Sequence, residues 1–132
     1  MRILIVEDEF ASRKLLESVL SKYGECHTAT DGVEAVQAFG EALDEDAPYD
    51  LICMDIMMPN KDGQQALKEI REIERERGIK PSEEVKVIMT TALNDPKTVV
   101  KAYYEGGATA YMAKPLEIES LVDIVRGLGL VE

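Results

Sequence analysis

The sequence is poor in several residue types. It has no tryptophan, its aromatic residues make up 5% of the chain, and it contains two cysteines and one histidine. With so few aromatic side chains, the core is predicted to be aliphatic. Cys26 and Cys53 lie in separate apolar segments, which favours buried free thiols in a reducing cytoplasm over a disulfide. His27 has Cys26 beside it but no further cysteine or histidine nearby to complete a zinc site, so it is interpreted as an ordinary strand residue.

Positive charge is also scarce. Lysine and arginine total 15 against 26 aspartates and glutamates, which leaves a formal net charge of -11. Nucleic acids and anionic membranes are bound through cations that neutralise phosphate, so direct binding to either is not predicted. The apolar segment after Met1 is too short for a signal peptide or a membrane span. Part of the acidic excess is predicted to form a solvated helix end and loop: Glu41, Asp44, Glu45, Asp46 and Asp50.

Short apolar runs alternate with amphipathic stretches along the whole chain, which has the length of one ordinary domain at 132 residues. The runs at 3–6, 26–29, 51–54, 85–89 and 109–112 predict five strands. We find no repeat, linker or low-complexity tract between them. Alternating strands and helices are typical of an α/β fold, so a parallel sheet with helices on both faces is predicted.

The helices are predicted from apolar residues that recur every three or four positions. Asp31 with Glu34 indicates a capping box at the second helix, and the third is predicted to run from 62–63 to Arg77. Asn94-Asp95-Pro96 predicts the start of a fourth. The apolar residues that mark the five helices are Leu15, Leu16, Val19, Leu20 and Tyr23; Val36, Phe39 and Leu43; Leu67, Ile70 and Ile73; Val99, Val100 and Tyr103; and Leu121, Ile124, Val125 and Leu128.

Polar residues are placed where predicted strands end. They are Glu7 and Asp8 after the first strand, Asp55 after the third, Thr90 and Thr91 after the fourth, and Lys114 after the fifth. In a doubly wound sheet, ligands bind at the carboxyl ends of the strands. Three carboxylates that converge there repel one another unless a cation lies among them, and their hard oxygens suit Mg²⁺.

Such a cation would also let a carboxylate act as a nucleophile. Asp55 can attack a phosphoryl group only if the incoming negative charge is neutralised. Lys114 and a threonine hydroxyl would supply the remaining stabilisation, the first as a cation and the second as a hydrogen-bond donor.

Four segments carry a resemblance to a known family. They are ILIVEDE at 3–9, LICMDIMMPNKDG at 51–63, MTTA at 89–92 and AYMAKP at 110–115. In this order and spacing they resemble the receiver domain of two-component response regulators, in particular the single-domain, chemotaxis-regulator type, over essentially the whole chain. The resemblance implies a flavodoxin-like, five-stranded parallel sheet of strand order 2-1-3-4-5.

The resemblance also implies the phosphoacceptor and its metal ligands. Asp55 would accept a phosphoryl group from a histidine kinase or a histidine phosphotransfer protein. Asp8 would bind Mg²⁺ directly, Glu7 would hold it mainly through water, and Met57 would contribute its backbone carbonyl. Glu7 departs from the aspartate that is common at the first acidic position, but it should still serve the metal.

The remaining implied roles concern the change of conformation. Thr91, rather than Thr90, would hydrogen-bond to the phosphoryl group, and Tyr111 would swing inward as Thr91 moves. Lys114 would pair with the phosphoryl oxygens, and the Lys114–Pro115 bond would be cis. Output would pass through the face formed by the helix after Asn94, the fifth strand and the last helix.

Two further expectations concern the rate of dephosphorylation and the partner surface. Met57 and Leu93, each two residues after a predicted site residue, are both apolar and are expected to shield the phosphoryl group, so self-dephosphorylation should be slow. The segment from Glu74 to Glu84 is longer than usual for the family. It should lie opposite the site and affect a partner surface rather than the chemistry.

The leading hypothesis is a phosphorylation-dependent binding module that acts on a downstream protein and is not an enzyme. Residues 1–132 are predicted to be one receiver domain without an output domain, unless the chain is cut from a longer protein. A phosphorylation-dependent dimer stays open. The alternatives are a Mg²⁺-dependent aspartyl-phosphate hydrolase, which needs a second aspartate where Met57 stands, and a receiver-like interaction domain that is not phosphorylated. A flavin-binding domain of the same topology is not supported, because no segment of this sequence resembles the phosphate-binding loop that it would need.

Overall fold

The structure is a computed structural model that describes residues 1–91 and 107–131. The described residues form five strands, β1 (Arg2–Val6), β2 (Glu25–Ala29), β3 (Leu51–Asp55), β4 (Lys86–Thr91) and β5 (Ala110–Ala113), and four α-helices, α1 (Phe10–Leu20), α2 (Gly32–Asp44), α3 (Gly63–Glu76) and α4 (Ile118–Gly127). The helix predicted to begin at 94–96 lies outside these residues. No described helix is long and apolar enough to cross a membrane.

All five strands pair in parallel in the order β2-β1-β3-β4-β5. This confirms the predicted class and strand order. Every residue of β3 is buried, as expected for a central strand covered by helices on both faces. At the edge of the sheet, β2 is mostly polar and exposed, with Glu25, His27 and Thr28 open to solvent.

Each face of the sheet carries its own core because alternate strand residues point to opposite sides. On one face Leu4, Ile52 and Met89 pack with α2 and α3, and this group is here called the α2–α3 core. On the other face Ile5 and Cys53 belong to the α1–α4 core, with the helices α1 and α4. Both groups are mainly aliphatic, which confirms the prediction from composition.

The first helix is shorter than the sequence pattern predicts. It ends at Leu20, and a tight turn follows in which the Tyr23 N–H donates to the Leu20 carbonyl at 2.9 Å. Leu16 and Val19 are buried, whereas Leu15 is 42% exposed. Leu15 lies on the flank of the buried stripe, since successive helical residues are rotated by about 100°.

The inner face of α2 is also different from the prediction. Phe39 is buried as expected, but Val36 and Leu43 are only partly buried. Apart from Gly32 at its start, the other buried residues of α2 are Ala35 and Ala42, four and three positions from Phe39. Small side chains at these positions let the helix approach the strands, with the larger aliphatic residues at the sides of the contact.

The two thiols are free, and both lie in strands as predicted. Cys53 is fully buried, and burial is the main cause that raises the pKa of its thiol to about 12. Cys26 is only half-buried, because β2 is an edge strand. His27, also in β2, has its Nδ1 2.8 Å from the Tyr49 hydroxyl, which agrees with its interpretation as an ordinary strand residue.

Residues 74–84 lie at the end of the sheet where β4 begins, so they are remote from the carboxyl ends of the strands. Glu74 is 1% exposed in the last turns of α3. Its carboxylate accepts hydrogen bonds from Arg71 Nη1 at 2.7 Å and from the Val85 N–H at 2.8 Å. Arg71 Nη2 also donates to the Gly107 carbonyl at 3.1 Å, so the pair links α3 to the segments that lead into β4 and β5.

Replacement of Glu74 by alanine should lower the free energy of unfolding by about 3–5 kcal/mol, because the partly buried Arg71 loses its carboxylate partner and the buried Val85 N–H loses its acceptor. Urea unfolding at neutral pH measures this change. Glu76→Ala, at an exposed position of the same helix, should change stability by less than about 0.5 kcal/mol. Equal stability of the two variants would contradict a structural role for the buried pair.

Candidate functional site

The polar residues predicted at the strand ends meet at the carboxyl edge of the sheet, where the strand order reverses between β1 and β3. Glu7 follows β1, and Lys114 follows β5. Asp55 is the last residue of β3 rather than the residue after it. Thr90 and Thr91 are the last two residues of β4, not part of a following loop. This sheet edge therefore gathers side chains from four neighbouring strands.

An acidic cluster is the first feature of this edge. Glu7, Asp8 and Asp55 each place a carboxylate oxygen within 4.8 Å of the others. Glu7 is 1% exposed and Asp55 is 4% exposed, whereas Asp8 is open to solvent. Burial, with a smaller contribution from the charge of Asp55, raises the pKa of Glu7 above its ordinary value even though Lys114 opposes the shift. The arrangement favours the binding of a cation.

Lys114 supplies one positive charge to this cluster. Its Nζ donates to Glu7 Oε1 at 3.1 Å, to Glu7 Oε2 at 3.0 Å and to Asp55 Oδ2 at 3.1 Å. Burial alone would lower the pKa of Lys114, but the hydrogen bonds to Glu7 and Asp55 outweigh burial and raise it. One ammonium group against three carboxylates leaves the cluster negative, which fits a site for a divalent cation with oxygen ligands.

The loop after β3 is fixed at both of its ends. The Ile56 N–H donates to the Thr90 carbonyl at 3.0 Å, and the Gly63 N–H donates to the Ile56 carbonyl at 2.8 Å. A Cβ at Gly63 would lie 2.3 Å from the Asp55 carbonyl oxygen, so this close approach requires glycine. Inside the loop, the Met57 N–H donates to Asp55 Oδ1 at 3.2 Å, so both Asp55 carboxylate oxygens accept a hydrogen bond.

Helix caps flank the same loop. The capping box predicted at Asp31 is half formed: Asp31 accepts from the Glu34 N–H at 2.9 Å, but the Glu34 carboxylate accepts from the Thr30 N–H instead. A complete capping box lies at the start of α3, between Asp62 and Gln65. This second box fixes the point at which the loop enters α3.

A direct contact joins the loop to the start of α2. Asn60 Nδ2 donates to Asp31 Oδ2 at 2.6 Å, and the Gly32 N–H donates to the Lys61 carbonyl at 3.0 Å. We call this pair of contacts the loop clasp. Asn60 has a φ of 66°, a left-handed conformation that asparagine tolerates better than most residues. Hydrogen bonds from the Glu34 N–H and from Asn60 lower the pKa of Asp31.

Sequence reasoning missed the loop clasp, and it also missed a contact that holds the backbone of the acidic residues Glu7 and Asp8. Arg13 Nη1, on α1, donates to the Glu7 carbonyl at 2.9 Å and lies 3.4 Å from the Asp8 carbonyl. Asn60 lies within a segment that carries the family resemblance, and Asp31 was identified only as a helix cap. Asp31 and Asn60 are 29 positions apart, and no pattern in a single sequence pairs residues at that separation.

The other predicted residues have mixed outcomes. Thr91 is buried, and its carbonyl accepts from the Lys114 N–H at 2.7 Å. The Lys114–Pro115 bond is cis, as the resemblance implied. Tyr111 is half-buried and packs against the α2–α3 core, and the Met57 side chain is 59% exposed. Leu93 lies outside the described residues. The roles of Thr91, Tyr111 and the Met57 carbonyl in signalling stay predictions.

Comparison with known proteins agrees with this geometry. Over 130 residues the chain is 38% identical to the peroxide stress-activated histidine kinase mak2 of Schizosaccharomyces pombe. The matched region is 98% of this chain but only 5% of the kinase. The fold of this chain matches a solved structure of the receiver domain of the histidine kinase CKI1 from Arabidopsis thaliana, complexed with Mg²⁺ and BeF3⁻. The TM-score is 0.84 and the sequence identity 28%, and the match covers 97% of this chain and 89% of the CKI1 chain.

A second solved structure is the co-crystal of the Saccharomyces cerevisiae histidine phosphotransfer signaling protein Ypd1 and the receiver domain of its downstream response regulator Ssk1. It matches with a TM-score of 0.82 and 29% identity, over 98% of this chain and 88% of the matched one. The family model of the response regulator receiver domain matches residues 3–126. The chain therefore belongs to the receiver-domain family of response regulators in two-component signalling.

Proposed function

We propose that this chain is a phosphorylation-activated switch in which Asp55 accepts a phosphoryl group in a reaction that requires Mg²⁺. The observation that carries the proposal is the position of the Asp55 carboxylate. It is buried at the sheet edge, within 4.8 Å of Glu7 and Asp8, and held by Lys114 at 3.1 Å. An acceptor carboxylate needs such a group of charges, because phosphoryl transfer depends on positioning and charge stabilisation.

The donor set of the acidic cluster fits Mg²⁺. Carboxylate and carbonyl oxygens are its preferred protein ligands, and an exposed residue such as Asp8 leaves room for the waters that the ion retains. We assign Asp8 and Asp55 as direct ligands, Glu7 as a ligand mainly through water, and Met57 as the source of a carbonyl ligand. When bound, the ion neutralises the charge of the incoming phosphoryl group.

The residues of this chain then have separate tasks in the transfer. An oxygen of Asp55 forms a bond to phosphorus as the bond from phosphorus to the donor's histidine nitrogen breaks, and the donor imidazole leaves with the bonding electrons. Lys114, which already reaches Asp55, pairs with the transferred phosphoryl oxygens. Thr91 donates to the same group, and Tyr111 follows its movement to alter the surface that a downstream protein binds.

The phosphodonor is a histidine kinase or a histidine phosphotransfer protein in this proposal, and the reaction takes place in the cytoplasm. The Ssk1 receiver domain forms a co-crystal with such a phosphotransfer protein. Two apolar side chains of α1 are exposed, Phe10 at 64% and Leu15 at 42%, and Leu15 lines a groove together with Lys114, Pro115 and Leu116. They offer an apolar surface through which a donor protein could bring its phosphohistidine to Asp55.

Two alternatives have less support. A hydrolase of the aspartyl-phosphate type needs an acid–base carboxylate two residues after its nucleophile, and Met57 occupies that position. A receiver-like domain that is never phosphorylated would not need three carboxylates at its sheet edge together with a partly buried lysine. The experiment below separates all three functions.

Incubation with Mg²⁺ and acetyl phosphate should add one phosphoryl group, detected as a single adduct by intact mass. The adduct should be absent without Mg²⁺ and in Asp55→Asn, because each removes part of the acceptor site. Asp46→Asn, at an exposed acidic residue that already has a positive φ, should be modified like the wild type. No adduct, under conditions that modify another receiver domain, would favour the interaction domain, and sustained release of phosphate from simple phosphoesters would favour the hydrolase.

The loop clasp should contribute to Mg²⁺ binding, because it holds the loop that carries Met57. Asn60→Asp places two carboxylates in contact and should weaken Mg²⁺ binding roughly tenfold, measured by calorimetric titration. The double variant Asp31→Asn with Asn60→Asp exchanges donor and acceptor at unchanged net charge, so it should recover most of the affinity. Gln37→Ala removes an amide–carboxylate contact on the surface of α2 and should have no effect. Failure of the exchange to recover binding would contradict this role.

Met57 and Leu93, each two positions after a predicted site residue in the sequence, are expected to limit the access of water to the phosphoryl group. Replacement of both Met57 and Leu93 by glutamine should speed the loss of the adduct several-fold, followed by intact mass over time. Ile118→Gln changes another exposed apolar residue, 48% exposed at the start of α4, and serves as the control. An unchanged rate in the double variant would show that these side chains do not shield the phosphoryl group.

A further inference from the structure

Thr90 carries a buried hydroxyl that the roles assigned above leave unused. The residue is 1% exposed, and its Oγ1 has no hydrogen-bond partner among the residues that the structure describes. The large majority of buried polar side-chain atoms in folded proteins have a partner, so an unpaired one calls for an explanation. The family resemblance favours Thr91 over Thr90 and gives no reason for a hydroxyl at this position.

The position of Thr90 supplies a reason. Thr90 is the register partner of Asp55 across β3 and β4, and neighbouring strands lie about 4.8 Å apart. Register partners in a parallel pair project from the same face of the sheet. Cys53 and Ile88, two residues before Asp55 and Thr90, both belong to the α1–α4 core, so Asp55 and Thr90 share that side. The unpaired hydroxyl therefore lies beside the acceptor residue.

Lys114 reaches across the same place. Thr90 pairs with Met112 on its other side, and Lys114 comes two residues after Met112. The Lys114 ammonium extends from the end of β5 to Asp55 at the end of β3, and β4 lies between these two strands. Thr90 thus lies on the strand between the strand that carries Asp55 and the strand that Lys114 follows.

We propose that the Thr90 hydroxyl donates a hydrogen bond to the phosphorylated Asp55 side chain, as a second donor beside Thr91. The proposal rests on Asp55 being the phosphoacceptor. In the resting state both Asp55 oxygens already accept hydrogen bonds, from the Met57 N–H and from Lys114. Phosphorylation adds acceptor oxygens, and Lys114 turns toward them. The hydroxyl then gains a partner that it lacks at rest.

The Thr90 hydroxyl would favour phosphorylation because its hydrogen bonding differs between the resting and the phosphorylated state. A group that is unpaired in the resting state and paired in the phosphorylated state shifts the equilibrium toward phosphorylation by the difference in its interaction free energy. Thr109 provides a contrast in the neighbouring part of the sheet. Its Oγ1 accepts from the Val87 N–H at 2.9 Å, so this hydroxyl has a structural partner at rest.

Thr90→Val, which keeps the shape and removes the hydroxyl, tests the proposal. Without ligand its melting temperature should equal the wild type or rise by about 1–5 °C, because no hydrogen bond is lost. With Mg²⁺ and beryllofluoride, a phosphoryl analogue, its binding should be about 3–10-fold weaker than that of the wild type, measured by calorimetric titration. Thr90→Ser should recover binding. Thr109→Val should show the reverse pattern, with a lower melting temperature and unchanged binding.

Two outcomes would overturn the role of Thr90. A resting melting temperature that falls as far in Thr90→Val as in Thr109→Val would show that the hydroxyl already has a partner. Binding of beryllofluoride within twofold of the wild type would show that it contributes no contact to the phosphorylated state. If the wild type itself fails to bind beryllofluoride, the assignment of Asp55 is wrong and the role of Thr90 is wrong with it.

Discussion

Three carboxylates held together at one edge of the sheet, against a single lysine, form the constraint on which the rest of this structure depends. Glu7 and Asp55 are almost fully buried, and their repulsion is only partly offset by Lys114. Such an arrangement costs stability in an isolated domain, since burial disfavours the charged form of a carboxylate. It becomes favourable when a divalent cation and a phosphoryl group share the space, which is the chemistry proposed for this edge.

The surrounding contacts keep these charges in place. Arg13 holds the carbonyls of Glu7 and Asp8 from α1, and the loop clasp holds the segment after Asp55 from α2. Contacts from neighbouring helices therefore fix the backbone of Glu7 and Asp8 and the loop that follows Asp55. Metal sites commonly depend on such supporting contacts, whose loss weakens binding without removal of any ligand.

Much of the fold was predictable from the sequence because the pattern of a parallel α/β protein is strong. Continuous apolar runs such as 51–54 give buried strands, and the strand ends give the position of the acidic residues. The strand order came from the family resemblance, since alternation alone does not determine it. Periodicity was less informative about helix faces: Leu15 fits the helical spacing, yet it is exposed, while the small residues Ala35 and Ala42 carry the contact with the sheet.

The parts of the site that could not be predicted are contacts between distant residues. Asp31 and Asn60 each have a local explanation, as a helix cap and a turn residue, so neither indicates the hydrogen bond between them. The pairing of Lys114 with both Glu7 and Asp55 follows from strand order and side-chain length together. That the Thr90 hydroxyl has no hydrogen-bond partner within residues 1–91 and 107–131 is visible only once its neighbours are placed, because nothing in the sequence distinguishes it from any other threonine in a strand.

The polar edge strand β2 bears on how copies of the chain can meet. An edge strand presents backbone N–H and C=O groups along its outer side, and these can pair with a strand from another molecule. Charged and polar side chains such as Glu25 and His27 oppose the close approach of a second sheet there. Strand pairing between copies through β2 is thereby disfavoured, which protects this edge from the edge-to-edge growth that leads to aggregation.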